Sequence, residues 1–221
     1  MSRIKDKSKA ILLRKSGMSY SQIKNVLGIS KSTLSGWLYN MPLSEKRIKE
    51  LGASNAVRIE KYINTMKNKR KIRSELVYRQ VSRDIGLINN RELFLNGFFL
   101  YWGEGGKVNK SMLSFTNTDP DMVNYFIKWV VTCLGVDKKK LYILLHLYKD
   151  MNIRESINFW SKKLNMKVYQ FKKPYIKDSK LTDLTYKSGF GKGTCTVRLN
   201  NKERMDYVLE GLKYLRSLVI G

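Results

Sequence analysis

The segment from Glu92 to Gly103 restricts the fold more than any other part of the sequence. Between these two residues nearly every side chain is apolar or aromatic. A helix that is apolar all round is buried all round, so we expect this one to be enclosed by the rest of its domain. It ends abruptly in Gly103-Glu104-Gly105-Gly106, which places one carboxylate between flexible glycines at the tip of a buried helix.

Alternating apolar and polar residues follow this helix and predict strands mixed with helices. The predicted strands cover residues 111–117, 141–148, 168–176 and 194–199, and the predicted helices cover residues 121–134, 154–164 and 202–219. The chain is therefore predicted to be α+β, with an αββαββα-like order over residues 91–221. Alternation in the last strand puts a polar row on one face, made of Thr194, Thr196, Arg198 and Asn200.

The first 43 residues carry strong helix-boundary signals. A first helix is predicted from Asp6 to Ser16, and Ser19-Tyr20-Ser21-Gln22 has the form of a capping box that opens a second. Gly28 supplies a left-handed turn after Leu27, and Ser30 caps a third helix, Lys31 to Leu38. The string from Tyr20 to Leu38 resembles the helix-turn-helix family.

This resemblance rests on the turn, which matches at Leu27, Gly28 and Ile29, and on the packing positions Leu34 and Trp37. One difference is Lys24, which stands where the family usually has a small residue. The resemblance implies that the outward side chains of the third helix enter the DNA major groove. They are Lys31, Ser32, Thr33 and Ser35. The alternative is a helical hairpin that belongs to a bundle or to a protein-interaction module.

The charge balance favours a polyanionic partner. The chain has 43 Lys and Arg against 18 Asp and Glu, a formal charge of +25. Such an excess repels itself in a compact fold, and double-stranded DNA is the polyanion that most often offsets it. No apolar run of about 20 residues and no signal peptide is found, so we expect no membrane contact and a cytoplasmic location. Two distant cysteines and one histidine exclude a zinc site, and no nucleotide-binding motif is expected.

Residues 44–90 are predicted to form a basic helical linker between two domains, residues 1–43 and residues 91–221. Pro42 breaks the chain before this segment, and Gly52 divides it into two predicted helices. Lys69 and Arg70 lie in its densest basic run. Such a run is either a solvated face or a surface that tracks DNA phosphates, and the sequence leaves both interpretations open.

Residues 91–221 resemble the LAGLIDADG homing-endonuclease family. An inward helix that ends in a small residue, an acid and a glycine is matched by Trp102-Gly103-Glu104-Gly105. One copy of this motif is found, so the resemblance implies a homodimer whose paired acids hold Mg²⁺ or another divalent cation at the scissile phosphates. Glu104 and Gly103 would hold the metal, and Lys192 would steady the transition-state charge. Phe98 and Phe99 differ from the family, which has small residues there.

The family also implies a saddle of strands lying in the major groove. The residues assigned to it here are Lys107, Lys110, Tyr169, Lys173, Thr194, Thr196, Arg198 and Asn200. The first functional hypothesis is a homodimeric, Mg²⁺-dependent, sequence-specific endonuclease. The second is a transcriptional regulator that uses an inactive domain of this type for DNA binding and dimerisation. A maturase-like role on RNA is a third, without an aromatic RNA-recognition signature to support it. We interpret His146 as a partly buried structural residue, and Asp119 and Asp121 as helix-capping residues.

Overall fold

The computed structural model describes residues 2–52, 55–180 and 191–220. They form an α+β protein, as the sequence predicts, and the chain divides into two compact units, Met1–Gly86 and Leu87–Gly221. The glycine-rich segment from Gly189 to Thr194, which contains Lys192, lies partly outside the described residues. The boundary between the units falls at Gly86, a residue with a φ of 64°, close to the end of the predicted linker.

The first unit is helical over its described residues. Its helices are α1 (Ser2–Lys15), α2 (Tyr20–Leu27), α3 (Lys31–Trp37), α4 (Glu45–Glu50) and α5 (Asn55–Ile85). The buried core is small and is formed by Ala10, Tyr20, Ile23, Leu34 and Leu38. Because α5 packs Ile59 and Ile63 against this core, the first part of the predicted linker belongs to the unit itself. From residue 68 onward every described side chain of α5 is exposed.

The second unit contains helices α6 (Asn90–Glu104), α7 (Pro120–Cys133), α8 (Ile153–Leu164) and α9 (Lys202–Ile220). Its strands are β1 (Gly105–Gly106), β2 (Met112–Asn117), β3 (Tyr142–Tyr148), β4 (Tyr175–Lys177) and β5 (Thr194–Asn200). They form one sheet in the order β1-β2-β5-β3-β4. The β1–β2, β2–β5 and β3–β5 pairs are antiparallel, and β3–β4 is parallel.

The strand predicted over residues 168–176 is wrong for most of its length. Val168–Gln170 is a 3₁₀ turn, Phe171 makes one isolated bridge to Ile143 of β3, and the continuous pairing with β3 is limited to Tyr175–Lys177. The buried side chain of Gln170 accounts for the turn, because its amide donates to the carbonyls of Lys138 (2.9 Å) and Leu141 (2.8 Å) just before β3. The following Pro174 has no N–H to give to a strand ladder.

Helices α6, α7 and α9 pack against one face of the sheet. The core between them is aromatic, with Phe98, Tyr101, Phe115, Phe126 and Trp129 all buried. Phe115 and Phe126 stack with their ring centroids 4.8 Å apart, which joins the sheet to α7. Stacked and edge-to-face aromatic pairs of this kind contribute about 0.5–1.5 kcal/mol beyond their buried area.

The expectation that α6 is enclosed on all sides is wrong for the single chain. Its inner side, with Leu93, Gly97 and Tyr101, is buried, but Phe99 on the opposite side is 45% exposed. The inner side is tightly filled, since a Cβ at Gly97 would lie 2.0 Å from the Trp129 ring. The small residue in α6 therefore serves the contact with α7, and the described helices leave the outer side uncovered.

Candidate nucleic-acid interface

The second and third helices of the first unit have the caps that the sequence predicts. The Ser19 hydroxyl accepts a hydrogen bond from the Gln22 amide (3.2 Å), and the Gln22 side chain accepts one from the Ser19 amide (2.8 Å). Gly28 has a φ of 69°, and the Ser30 hydroxyl accepts from the Thr33 amide (3.3 Å). These bonds fix where α2 ends and where α3 begins.

Helix α3 buries one side and presents the other. Leu34 is buried in the core, whereas the side chains of the predicted DNA-reading set are exposed or half-buried: Lys31, Ser32, Thr33 and Ser35. The Ser32 and Thr33 hydroxyls lie 3.0 and 2.9 Å from the Ser30 hydroxyl, which keeps polar groups at the first turn of the helix. Lys24 is exposed and does not lie between α2 and α3. An exposed polar edge on a short capped helix is the surface that major-groove recognition requires.

A buried ion pair holds this unit together. The Arg14 guanidinium of α1 donates to both carboxylate oxygens of Glu60 on α5, at 3.0 and 2.8 Å. Glu60 also accepts from the Tyr20 amide at 3.0 Å, and Arg14 donates to the carbonyls of Met18 and Met41. Arg14 lies 4.4 Å from the Tyr20 ring centroid. The pair thereby links α1, the start of α2, the chain after α3, and α5.

The basic surface of α5 is solvent-exposed at both predicted DNA contacts, Lys69 and Arg70. Lys67 differs from them, because its ammonium donates to the Tyr39 carbonyl at 3.0 Å and lies 4.8 Å from the Tyr39 ring centroid. One acidic partner is close by, since Glu75 lies 4.0 Å from Lys71. The exposed cations suit phosphate contacts.

The face of the sheet opposite α6, α7 and α9 is called the open face. It carries the predicted polar row of β5, because Cys195, Val197 and Leu199 point to the helices. In the sheet register, Arg198 lies opposite Ser114 on β2 and opposite Tyr142 on β3, and Thr194 lies opposite His146 on β3. Thr196 is only 3% exposed, and its hydroxyl bonds the Thr116 hydroxyl at 2.9 Å. Its assignment as a DNA contact therefore needs correction, since this hydroxyl ties β2 to β5.

The other predicted saddle residues are spread over several elements. Asn200 is exposed and accepts from the Tyr142 hydroxyl at 3.0 Å. Lys107 and Lys110 lie between β1 and β2, where they line a groove with Trp102. Tyr169 and Lys173 are exposed but belong to the turn and loop before β4, because the strand predicted there does not form.

Glu104 is the last residue of α6 and is exposed, beside an exposed Gly103. The last carbonyls of a helix carry partial negative charge, so a carboxylate placed there attracts cations. The Lys107 ammonium lies at this end of the helix and donates to the Gly105 carbonyl at 3.2 Å. Carboxylate and carbonyl oxygens are the ligands that Mg²⁺ prefers, so the residues present fit a hard cation.

The two predicted catalytic residues have different surroundings. Lys192 lies 3.7 Å from the Glu155 carboxylate on α8, and its carbonyl accepts from the Trp160 indole at 2.8 Å. Its ion pair is thus with α8 and not with Glu104. Within the described ranges, no group of three or more His, Cys, Asp or Glu side chains is placed to hold a metal ion. Glu104 therefore belongs to no such group among the described residues.

The glycines after Glu104 have a structural role that the sequence does not reveal. A Cβ at Gly105 would lie 2.4 Å from the Tyr101 ring, and one at Gly106 would lie 2.1 Å from the Ser114 hydroxyl. The Tyr101 hydroxyl donates to the Gly106 carbonyl, and burial raises the pKa of Tyr101 to about 12. These contacts fold the chain sharply from α6 into β1, and they fix the position of Glu104.

Several residues of the open face were not predicted to act at an interface. They are Ser114, Thr116, Tyr142, Tyr148, Lys172 and Lys177. Alternation in β3 places its tyrosines on the polar side, but only the parallel pairing with β4 brings Tyr175 and Lys177 beside them. His146 is half-buried in this row, and burial lowers its pKa, as do Lys177 and Arg198 nearby.

Comparison with protein-family models, with characterised proteins and with solved structures gives no match for this chain. No described helix combines the length and the apolar character that crossing a membrane requires. The functional interpretation therefore rests on the residues and their geometry.

Proposed function

We propose that this chain is a sequence-specific double-stranded DNA-binding protein whose α3 reads base edges in the major groove. The observation that carries this proposal is the capped pair α2 and α3, joined by the left-handed Gly28, with a polar outer side on α3. The formal charge of +25 supplies the sequence-independent attraction to phosphates. The exposed bases Lys69 and Arg70 would add to it.

Binding-site selection from a random duplex library, followed by titration of the selected site, tests this proposal. Ser35→Ala and Lys31→Ala should weaken binding to the selected site, by about 1–3 kcal/mol for a lost base contact. Lys24→Ala is the matched control, because it removes an exposed lysine from α2 rather than α3. If all three variants bind the selected duplex equally well, α3 is not the reading helix.

We also propose that the second unit forms a homodimer through the outer side of α6. Leu95, Phe99 and Trp102 lie on that side, and Phe99 stacks with Trp102. An apolar groove between α6 and α9 continues this surface past the exposed Tyr214. Apolar surface of this kind on a soluble domain commonly marks an interface. The resemblance of residues 91–221 to the LAGLIDADG family implies the same helix-to-helix contact.

Phe99→Glu tests the dimer by placing a charge in the proposed contact. The wild-type chain should sediment as a dimer and the variant as a folded monomer. Ile153→Glu is the control, because Ile153 is 44% exposed, close to the 45% of Phe99, and belongs to α8. A wild-type chain that stays monomeric at micromolar concentration would contradict the proposed dimer.

The activity we propose for the dimer is Mg²⁺-dependent cleavage of DNA. Glu104 and the Gly103 carbonyl would hold the cation, and a second copy would supply a second carboxylate. A bound divalent cation would neutralise charge on the phosphate and lower the pKa of an attacking water. The open sheet face would position the duplex through Arg198 and Asn200, with Lys107 and Lys110 near its β1 end.

Cleavage is tested with a randomised supercoiled plasmid library, in Mg²⁺ and in EDTA. Site-specific double-strand cuts should need Mg²⁺ and should be lost in Glu104→Gln. Glu203→Gln is the control, since Glu203 is an exposed carboxylate in the first turn of α9 and lines neither groove beside α6. Binding without cutting in any divalent metal would make the protein a regulator. The ion pair of Lys192 with Glu155, rather than with Glu104, favours that second candidate.

A further inference from the structure

The open face of the sheet has two chemically different halves. The half formed by β2 and β5 is polar, with Ser114, Thr116 and Arg198 among its residues. The half formed by β3 and β4 is aromatic and basic, with side chains from both strands pointing to the same side. They are Tyr142, His146, Tyr148, Tyr175 and Lys177. The aromatic half is not explained by groove reading, which uses hydrogen bonds to base edges.

Tyr175 is the most accessible ring of the aromatic half. It is 59% exposed although it lies in a strand, directly opposite His146. The two ring centroids are 5.6 Å apart at an interplanar angle of 53°. The His146 ring is therefore tilted beside the Tyr175 ring and does not stack on its face. An exposed aromatic face flanked by a second ring is a platform on which a planar group stacks.

Cations lie beside the other rings of the aromatic half. The Lys177 ammonium lies 4.9 Å from the Tyr148 ring centroid, and the Lys172 ammonium lies 5.9 Å from that of Tyr142. Arg198 stands beside Tyr142 on the next strand, and its Nε is buried without a hydrogen-bond partner. A ligand for this half must therefore combine a flat aromatic group with negative charge.

We propose that the β3–β4 half of the open face binds unpaired bases of a nucleic-acid strand, with a base stacked on Tyr175 and phosphates near Lys177 and Lys172. In a duplex each base face is already covered by its neighbours, so a duplex presents only edges and phosphates to this surface. An unpaired base offers both of its faces, and stacking on an aromatic side chain contributes about 1–3 kcal/mol per base. This site does not depend on duplex reading by α3.

The test uses the full-length protein and fluorescent single-stranded oligonucleotides, (dT)12 and (U)12, beside a duplex of the selected site. Tyr175→Ala should raise the Kd for single strands by about 5- to 150-fold, the equivalent of one stacked base. Tyr175→Phe keeps the ring and should stay within about twofold of wild type, since stacking needs no hydroxyl. Tyr62→Ala is the control, because Tyr62 is 65% exposed, close to the 59% of Tyr175, but lies on α5 in the first unit.

Photocrosslinking with an oligonucleotide that carries 5-iodouracil locates the contact. The crosslinked peptide should contain Tyr175, and the crosslink should disappear in Tyr175→Ala. Comparison of (dT)12 with (U)12 shows whether the strand is DNA or RNA, since the 2′-hydroxyl is the group that separates them. Lys177→Gln should lower the salt dependence of single-strand binding by about one phosphate, a slope change of about 0.7.

Three results would overturn this proposal. The first is single-strand affinity unchanged in Tyr175→Ala, and the second is an equal loss in Tyr175→Phe, which would assign the effect to the hydroxyl. The third is an equal loss of duplex and single-strand binding in Tyr175→Ala, which would show that the face does not select unpaired bases. If Tyr175→Ala spares the duplex while Lys31→Ala spares the single strand, the two sites are separate.

Discussion

Glu60 is the residue whose replacement tests the architecture of the first unit most directly. Its side chain is 1% exposed and receives two hydrogen bonds from Arg14 and one from the Tyr20 amide. Glu60→Gln removes the negative charge and leaves the Arg14 guanidinium buried without a counter-ion. Breaking a buried ion pair by removing one partner costs about 3–5 kcal/mol. For a helical unit with so small a core, that is a large part of its total stability.

Amide hydrogen exchange followed by mass spectrometry measures this loss within the full-length chain. Exchange in peptides from α1 and α2 should accelerate by about 150- to 5,000-fold, up to the limit set by global unfolding. Peptides from α7, in the second unit, serve as the internal reference. Glu50→Gln is the matched control, because Glu50 pairs with Arg47 at 3.0 Å on the surface, where a pair contributes about 0–1 kcal/mol.

The double variant Arg14→Met with Glu60→Leu separates the charge effect from lost packing. It leaves no unpaired buried charge, so we expect it to lose less stability than the sum of the two single variants. It still loses the bonds to the Met18 and Met41 carbonyls, and it is not expected to match wild type. Equal acceleration in Glu60→Gln and Glu50→Gln, or simple additivity in the double variant, would refute the reasoning.

Three further predictions concern both units. Gly97→Ala should lower the free energy of unfolding of the second unit by about 1–3 kcal/mol, measured by urea denaturation, since the added Cβ would clash with the Trp129 ring of α7. Gly103→Ala in the same helix is the control. Its Cβ would contact no other atom, so the change should be neutral or stabilising by up to about 1 kcal/mol. The pKa of His146 lies below 6.5, mainly through burial, so the unfolded chain binds a proton there more tightly. Stability of the second unit should therefore fall as the pH drops below 6.5, and urea midpoints in His146→Gln should lose that part of the pH dependence. Ser19→Ala should cost about 1 kcal/mol, measured from amide exchange in α2, because it removes the side-chain cap.

Local chemistry explains which parts of the fold the sequence predicts. Ser19, Gly28 and Ser30 act within three or four residues of themselves, so their caps and turn can be read from the sequence and are confirmed. Strands β3 and β5 are also confirmed, because apolar residues at every second position, such as Ile143, Leu145 and Leu147, predict a strand with one buried face.

The remaining features depend on contacts between distant residues. Nothing near Glu60 in a strongly basic segment distinguishes it from a solvated acid, and its burial follows from Arg14, which is 46 residues away. The sequence predicts Thr196 as an exposed DNA contact. In the structure it is buried, and its hydroxyl bonds that of Thr116 on β2, which is 80 residues away. The parallel pairing of β3 with β4 brings Tyr175 opposite His146, a residue that is distant in the sequence. Such pairings are set by tertiary packing rather than by local pattern.

The exposed outer side of α6 and the single carboxylate at its end lie on the same helix, and one partner would add to both. The outer side of α6 exposes Phe99 without a covering element among the described residues, and the helix ends in Glu104, a single carboxylate. In a two-fold dimer the same patch contacts itself, so a second copy that covers Phe99 also brings a second Glu104. On the proposed function, dimerisation and cleavage should therefore fail together in Phe99→Glu, while Glu104→Gln should abolish cleavage and leave the dimer intact. Loss of the dimer in Glu104→Gln would show that the carboxylate is part of the contact and not of a metal site.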